Sequence, residues 1–174
     1  MSAIDRLARG LAGVGLWLAA AALLASLVTI AYSVARRYMF GSPVAWTDEL
    51  VGYLLVASVM FAAADALFGG EHISVDIITE RLAPRGKRVA LLFGLVAVAL
   101  SALLLLVEGI GMVQFSHQVG LRSNGYLALP LWIPQAFVPI GALLLLFAAI
   151  VAFVATWRGH ALPHERATTV QDIE

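Results

Sequence analysis

Four charged side chains crowd one short stretch of a largely apolar sequence, and they are the first candidates for chemistry. Arg36 and Arg37 stand before a Gly-Ser-Pro turn, and Asp48 and Glu49 follow it. Arginine and carboxylate side chains at this spacing can form ion pairs, which are expected where charge lies near the hydrocarbon boundary of a membrane. A catalytic role would further need an accessible cleft, and the spacing indicates none.

The turn between these charges has the residue types that join two helices. Gly41 suits the left-handed position that ends a helix, Ser42 is a favoured N-cap, and Pro43 suits the first helical position. A helical hairpin centred here places the two arginines and the two acids at about the same depth on antiparallel neighbours. We therefore predict that at least one arginine pairs with one acid. The alternative is that all four are separately solvated at the membrane interface.

A second polar pattern lies between Gly70 and Pro84. Isoleucines recur there at helical spacing, which predicts a short helix lying on the membrane face. His72, Asp76 and Glu80 are spaced four apart and would form a polar stripe on that helix. One histidine with two acids on one helix is a weak indication of a metal site, so a solvated face is favoured. No metal or other cofactor is predicted.

Two further acids, Asp65 and Glu108, lie within or beside apolar segments. Acids inside a membrane commonly belong to a proton relay or an ion path. Both stand within about one or two helical turns of an expected helix end, so reaching the interface is an equal alternative. A haem held by His72 and His117 is excluded by the topology predicted below, which places the two histidines at opposite faces of the membrane.

The elements that carry these residues are membrane helices, as the composition indicates. Of the 174 residues, 61% are hydrophobic and 13% are charged, and the net charge is zero. Soluble proteins have about 25% charged residues. A neutral chain has no field to attract nucleic acid, and a chain without cysteine forms neither disulfides nor thiolate metal sites. The sequence predicts a membrane protein with no nucleic-acid partner.

Four apolar segments each hold about 20 residues or more, the length that crosses about 30 Å of hydrocarbon. We predict an all-α membrane protein with four transmembrane helices in a single domain over residues 1–157, followed by a flexible tail over residues 158–174. The predicted helices cover about residues 11–35, 43–68, 88–115 and 131–156. The first segment is too long for the apolar core of a signal peptide and is expected to be retained. Pro139 is expected to kink the last helix.

Orientation follows from the basic residues. Eight of them fall in the N-terminus, the middle loop and the tail, against three in the other two loops. The positive-inside rule therefore predicts that both termini and the middle loop are cytoplasmic, and that the first loop, which holds the hairpin turn, and the third loop face outward. Trp46 lies near a predicted helix end, where an amphipathic ring favours the headgroup zone.

Three stretches resemble the small membrane subunit, of DctQ type, of tripartite ATP-independent periplasmic (TRAP) transporters. They are Arg37–Leu50, with an Arg-aromatic, Trp and Glu signature; Glu71–Pro84, with a His and Val-Asp signature; and Leu127–Gly141, a proline-marked entry into the fourth helix. The resemblance covers most of the chain in matching order. The residues that match are Arg37, Trp46, Glu49, His72 and Asp76. Arg36 and Asp48 rest on the hairpin argument alone.

The resemblance implies partner proteins. In this family a large multispanning permease subunit (DctM-type) binds substrate and sodium and moves the substrate by an elevator-like displacement, and a periplasmic substrate-binding protein (DctP-type) captures it. The small subunit packs against the large one, enlarges its fixed scaffold and offers an outward surface for docking. The implied role is a non-enzymatic scaffold for sodium-coupled uptake of an organic acid, in the bacterial inner membrane and in contact with membrane lipid.

Two other classes of function are weighed against this one. A small self-assembling channel or exporter would use Asp65 or Glu108 to line a path through an oligomer. A membrane enzyme would need a clustered polar site, and no phosphate-binding loop or Ser-His-Asp order can be assembled from the sequence. The residues predicted to serve the structure or the partner interface are Arg36, Arg37, Trp46, Asp48, Glu49, His72 and Asp76.

Overall fold

Long apolar runs, free of proline in their interiors, give this chain long helices. The computed structural model describes residues 3–42, 44–69 and 84–158. Its helices are α1 (Ala3–Phe40), α2 (Trp46–Gly69), α3 (Pro84–Val119), α4 (Trp132–Gln135) and α5 (Phe137–Trp157). Four helical stretches are long and apolar enough to cross a membrane, with α4 and α5 together forming the last. The predicted all-helical class and the four spans are confirmed. The predicted interfacial helix, with His72 and Asp76, and the tail from residue 159 lie outside the described residues.

The helices pack in the series α1, α2, α5 and α3. The extensive contacts join α1 to α2, α2 to α5, and α5 to α3, while α1 also touches α5. Consequently α2 and α5 lie inside the series, and α1 and α3 lie at its two ends. The buried core belongs to the half of the helices that lies away from the α1–α2 turn. Its members are Ala12, Ala64, Leu67, Leu95, Ala102, Leu145, Ala148, Ala149 and Ala152.

Small residues set how closely these helices approach, and the closest approaches fix their relative heights. A Cβ atom added to Gly109 of α3 would lie 3.1 Å from Cδ of Pro139 in α5. A Cβ atom added to Gly141 of α5 would lie 2.6 Å from Cβ of Met60 in α2. Backbones can come this near only where no side chain intervenes, as is usual between membrane helices. Gly109, Pro139 and Met60 therefore stand at nearly the same level.

The first hairpin differs in detail from its prediction. Gly41 has a φ of 61°, so the predicted left-handed end of α1 is confirmed. However, α1 continues to Phe40 instead of ending near residue 35, since basic side chains are favourable in the last turn of a helix. The second helix begins at Trp46 instead of residue 43, so Ser42 is not its N-cap. Residues 44–45 form a further piece of turn, which the hydroxyl of Thr47 stabilises by donating to the carbonyl of Val44 at 2.7 Å.

The later helix ends also differ. The third helix runs to Val119, past the predicted end at residue 115. The fourth predicted helix is interrupted at Ala136, three residues before Pro139, where the kink was expected. This places Pro139 in the first turn of α5, where a missing N–H costs nothing because first-turn N–H groups lack partners within the helix.

Candidate partner interface

One end of the helix series carries two connections, of which the structure describes residues 41–42 and 44–45 in the first and residues 120–131 in the second; we call it the turn end. The longer connection folds back on itself as a narrow loop. The N–H of Ser123 donates to the carbonyl of Leu129 at 2.9 Å, and the N–H of Leu131 donates to that of Leu121 at 3.0 Å. Gly120, with a φ of 68°, lets the chain leave α3 and enter this loop. The loop therefore has its own backbone pairing.

Glu49 ties this loop to α2. Its carboxylate accepts hydrogen bonds from the hydroxyl of Ser123, from the N–H of Leu127 at 3.3 Å, and from the hydroxyl of Tyr53 at 2.8 Å. Tyr53 lies one turn further along α2, so it supports the carboxylate from the same helix. Hydrogen bonds to an ionised acceptor are stronger than those between neutral groups. A single side chain thus joins two segments that lie more than 70 residues apart in the sequence.

Gly125 makes this contact possible. Its N–H donates to the hydroxyl oxygen of Ser123 at 3.0 Å, and a Cβ atom on Gly125 would overlap the carboxylate of Glu49. A larger residue at this position would push the Glu49 carboxylate aside, so glycine lets the loop close over Glu49 with these hydrogen bonds in place. Its exposed surface is polar and aromatic: Arg122, Asn124 and Tyr126 all point to the outside, and 81% of Tyr126 is accessible. The turn end combines a fixed loop with side chains suited to protein contact.

The joint between α1 and α2 depends on hydroxyl groups and aromatic rings. Thr47 is only 1% exposed, and its hydroxyl lies 3.0 Å from that of Ser33 on α1. The ring of Trp46 packs against Tyr32 of α1, with 6.4 Å between the ring centroids. Trp46 therefore contributes to the hairpin, while its place in the headgroup zone stays a prediction. Ser33 and Thr47 were missed because a hydroxyl within an apolar helix has no distinctive sequence pattern.

We expect Thr47→Val to destabilise this joint by about 1–3 kcal/mol, because the partly buried hydroxyl of Ser33 and carbonyl of Val44 then lose their partner. Thermal unfolding of the purified chain in detergent measures the change. Thr29→Val is the matched control, since the hydroxyl of Thr29 bonds only within its own helix, to the carbonyl of Ala25 at 2.7 Å. Its effect should stay within about 0.5 kcal/mol. Equal effects of the two substitutions would contradict a special role for Thr47.

The two arginines lie beside the hairpin. Arg36 is partly buried, with its guanidinium 5.7 Å from the ring centroid of Phe40, and its buried Nε has no hydrogen-bond partner. Arg37 is exposed and lines a groove of about 180 Å³ together with Asp48. The partners that the structure gives Glu49 are a serine, a tyrosine and a backbone N–H, none of them basic. An arginine–acid pair stays a prediction, with Arg37 and Asp48 as the pair that shares a groove.

Residues 26–159 match a family described as the DctQ component of tripartite ATP-independent periplasmic transporters. This chain is a member of the DctQ family. The matched range includes the hairpin, Glu49 and the loop that Glu49 holds. A similar protein is the small permease protein DctQ of the C4-dicarboxylate TRAP transporter of Rhodobacter capsulatus, 28% identical over 134 residues. The match takes in 77% of this chain and 59% of that relative, so the chain spans about three fifths of the relative's length.

Membership in the DctQ family makes the chain a transporter component. Within residues 3–42, 44–69 and 84–158, no three His, Cys, Asp or Glu side chains gather as metal ligands would. His117 packs edge-on against Trp132, with 5.7 Å between the ring centroids. Asp65 is partly buried, about one turn from the end of α2 at Gly69. Glu108 is exposed on α3.

Proposed function

We propose that this DctQ-family chain is the small membrane subunit of a TRAP transporter. It supports a large DctM-type permease subunit in the sodium-coupled uptake of an organic acid. It also helps a periplasmic DctP-type substrate-binding protein to dock. Both termini are cytoplasmic, the turn end faces the periplasm, and the chain lies in the bacterial inner membrane. It has no catalytic role of its own.

The observation that carries this proposal is the loop that Glu49 holds closed. A chain that only filled space in the membrane would have no need to fix an extramembrane loop with hydrogen bonds to an acid on a neighbouring helix. Ordering a loop before a partner arrives lowers the entropy that binding would otherwise cost. Arg122, Asn124 and Tyr126 supply a cation, an amide and an aromatic ring, which suit a polar protein surface. These features support the proposal that the turn end binds a soluble partner.

A reconstitution of the transporter tests this role. Proteoliposomes are prepared with the large permease subunit and this chain, with the large subunit alone, and with this chain alone; each receives the binding protein, labelled substrate and an inward sodium gradient. Uptake is expected only when both membrane subunits are present. Uptake by this chain alone would contradict the proposal, and so would full uptake by the large subunit alone.

The orientation can be tested directly because the chain contains no cysteine. A single cysteine at Tyr126→Cys should react with a membrane-impermeant maleimide in intact spheroplasts. A single cysteine at Lys87→Cys, on the exposed start of α3, should react only after the membrane is permeabilised. The reverse pattern would place the turn end in the cytoplasm and remove the basis for docking a periplasmic protein.

A second candidate function remains, because Glu108 is exposed on an apolar helix. A small self-assembling channel or exporter would place this acid, or Asp65, along a shared path. In that case neutralising the acid should abolish flux through liposomes that contain this chain alone, while its amount in the membrane stays the same. Absence of flux from the unmodified chain under the same conditions would exclude this function.

A further inference from the structure

Glu108 lies well inside the span of α3 that is long and apolar enough to cross a membrane, Gly86–Val119. Its neighbour in the sequence, Gly109, packs against Pro139 of α5. Gly141, two residues after Pro139 on α5, packs in turn against Met60 of α2. Met60 stands close to the midpoint of α2, which runs from Trp46 to Gly69. In addition α3 continues eleven residues beyond Glu108, to Val119, which corresponds to about 16 Å. The acid is therefore far from both ends of its helix.

The side chain of Glu108 points away from the rest of the chain. The buried residues of α3 recur every seven positions, at Leu95, Ala102, Gly109 and Ser116. Glu108 stands about 100° around the helix from that stripe and is exposed. Its neighbours on the same flank are exposed apolar side chains, with Leu104 at 66%, Met112 at 39% and Phe115 at 60%. Only 11% of the most apolar stretch of α3 is buried, as expected for a helix at the end of the series.

An exposed acid at this depth needs a hydrogen-bond donor. Half the hydrocarbon thickness is about 15 Å, and the short side chain of glutamate cannot bring its carboxylate to the interface. The side chains one turn away on α3 are Leu104, Leu105, Gly111 and Met112, which have no donor groups. Lipid tails offer none either, so a donor for the ionised carboxylate has to come from another protein chain.

Resting on the proposed function, we propose that Glu108 is the polar anchor of the contact with the large permease subunit. There its carboxylate receives a charge-assisted hydrogen bond from an arginine or lysine of one of that subunit's transmembrane helices. The surrounding exposed leucine, methionine and phenylalanine side chains form the apolar part of the same contact. Gly111, beside which a Cβ atom would meet nothing within 4 Å, leaves room for a second helix to approach.

A second copy of this chain fits the same face poorly. A two-fold contact through this flank of α3 would bring one Glu108 against the other. Ionised carboxylates are acceptors only, so neither would supply the missing donor and the two would repel. A basic side chain on a different protein satisfies both the charge and the hydrogen bonding. Charge complementarity therefore favours the large subunit over self-association.

Copurification of this chain with the tagged large permease subunit of the same transporter tests the proposal. Glu108→Leu should lower the recovered complex about tenfold or more, because the partner's cation is then left buried and unpaired. Glu108→Gln keeps an acceptor and should give an intermediate yield. Asp65→Asn is the matched control, an acid near a helix end, and should leave the yield unchanged. The amount of Glu108→Leu in the membrane should equal or exceed that of the unmodified chain, which separates lost assembly from failed folding.

Recovery of the Glu108→Leu complex at the unmodified level would overturn the proposal. So would a disulfide-linked dimer of the single-cysteine variant Glu108→Cys in membranes that lack the large subunit, since that result identifies a second copy as the occupant. Failure of the proposed function has a different signature: the unmodified chain would then not copurify with the large subunit at all. A charge-reversed Glu108→Lys should regain assembly only when the partner's basic residue is replaced by glutamate.

Discussion

Glu49→Ala is expected to release the loop at residues 120–131 and to weaken docking of the substrate-binding protein. The substitution removes the one acceptor shared by the hydroxyls of Ser123 and Tyr53 and the N–H of Leu127. Without it, the loop keeps its own backbone pairing but loses its attachment to α2. Hydrogen exchange of the peptide containing Leu127 should accelerate by about tenfold or more in the purified chain. Sodium-driven uptake in the reconstituted transporter should fall in parallel.

The neighbouring acid supplies the control for this prediction. Asp48 is exposed on the same first turn of α2, so Asp48→Ala should leave exchange in the loop unchanged. An ion pair between Glu49 and Arg37 predicts something different, namely that the charge-swapped double variant recovers part of the loss. The loop contact predicts no recovery, because an arginine at position 49 cannot accept three hydrogen bonds. Recovery by the swap would show that the ion pair matters more than the loop contact.

Gly125→Val is expected to weaken the attachment of the loop to α2, as Glu49→Ala does, because it alters the other side of the same contact. The added side chain would occupy the space of the Glu49 carboxylate, so either the loop or the acid must move. Forcing extra atoms into a close contact costs about 1–3 kcal/mol. Exchange at Leu127 should again accelerate, and the free energy of unfolding in detergent should fall. Gly52→Ala on α2, where a Cβ atom meets nothing within 4 Å, should change neither quantity.

The double variant distinguishes a shared contact from two separate defects. If Gly125 and Glu49 act through one contact, combining Gly125→Val with Glu49→Ala should accelerate exchange hardly more than either alone. Additive effects would mean that the glycine supports the loop independently of the acid. Such a result would leave Glu49 with a local role on α2, through its hydrogen bond to Tyr53, and would remove the loop from its mechanism.

The proposals assign two contact regions to the chain, one a polar loop and the other a largely apolar helix face. At the turn end, Glu49 arranges a polar loop for a soluble partner. On α3, Glu108 presents a carboxyl group within an apolar face, where a membrane-embedded partner can supply a donor. In both proposals the acid directs assembly with a partner. This accords with a family whose members are components of a transporter with several parts.

Much of the architecture could be predicted from the amino-acid sequence. Runs of 20 or more apolar residues have one stable form in a membrane, because every backbone N–H and C=O must be satisfied within the helix. Gly41 marked the end of α1 through its backbone freedom, which is a local property. The exact ends of α1, α2 and α3 were less predictable, since polar residues continue a helix wherever packing or hydrogen bonding supports them.

The sequence identified only part of the candidate site. Glu49 could be singled out because a charge beside an apolar segment is unusual, but its expected partners were arginines close in the chain. Ser123, Gly125 and Leu127 are small or common residue types in a distant loop, and nothing in their local sequence indicates contact with an acid on α2. Their role depends on the loop folding back over the start of α2, which is a long-range event.

Sequence alone determined the class of this protein: a four-span, all-helical membrane chain of a transporter family, with its charges gathered at particular places. These properties follow from hydrophobicity, helix length and local backbone preference, which each residue carries wherever it lies. Only the tertiary structure decided that Glu49 holds a loop and that Glu108 stands on an open face of α3. Both features depend on which helices become neighbours and on where along their length glycines allow close contact. Such contacts are a property of packing between segments and cannot be read from any one segment.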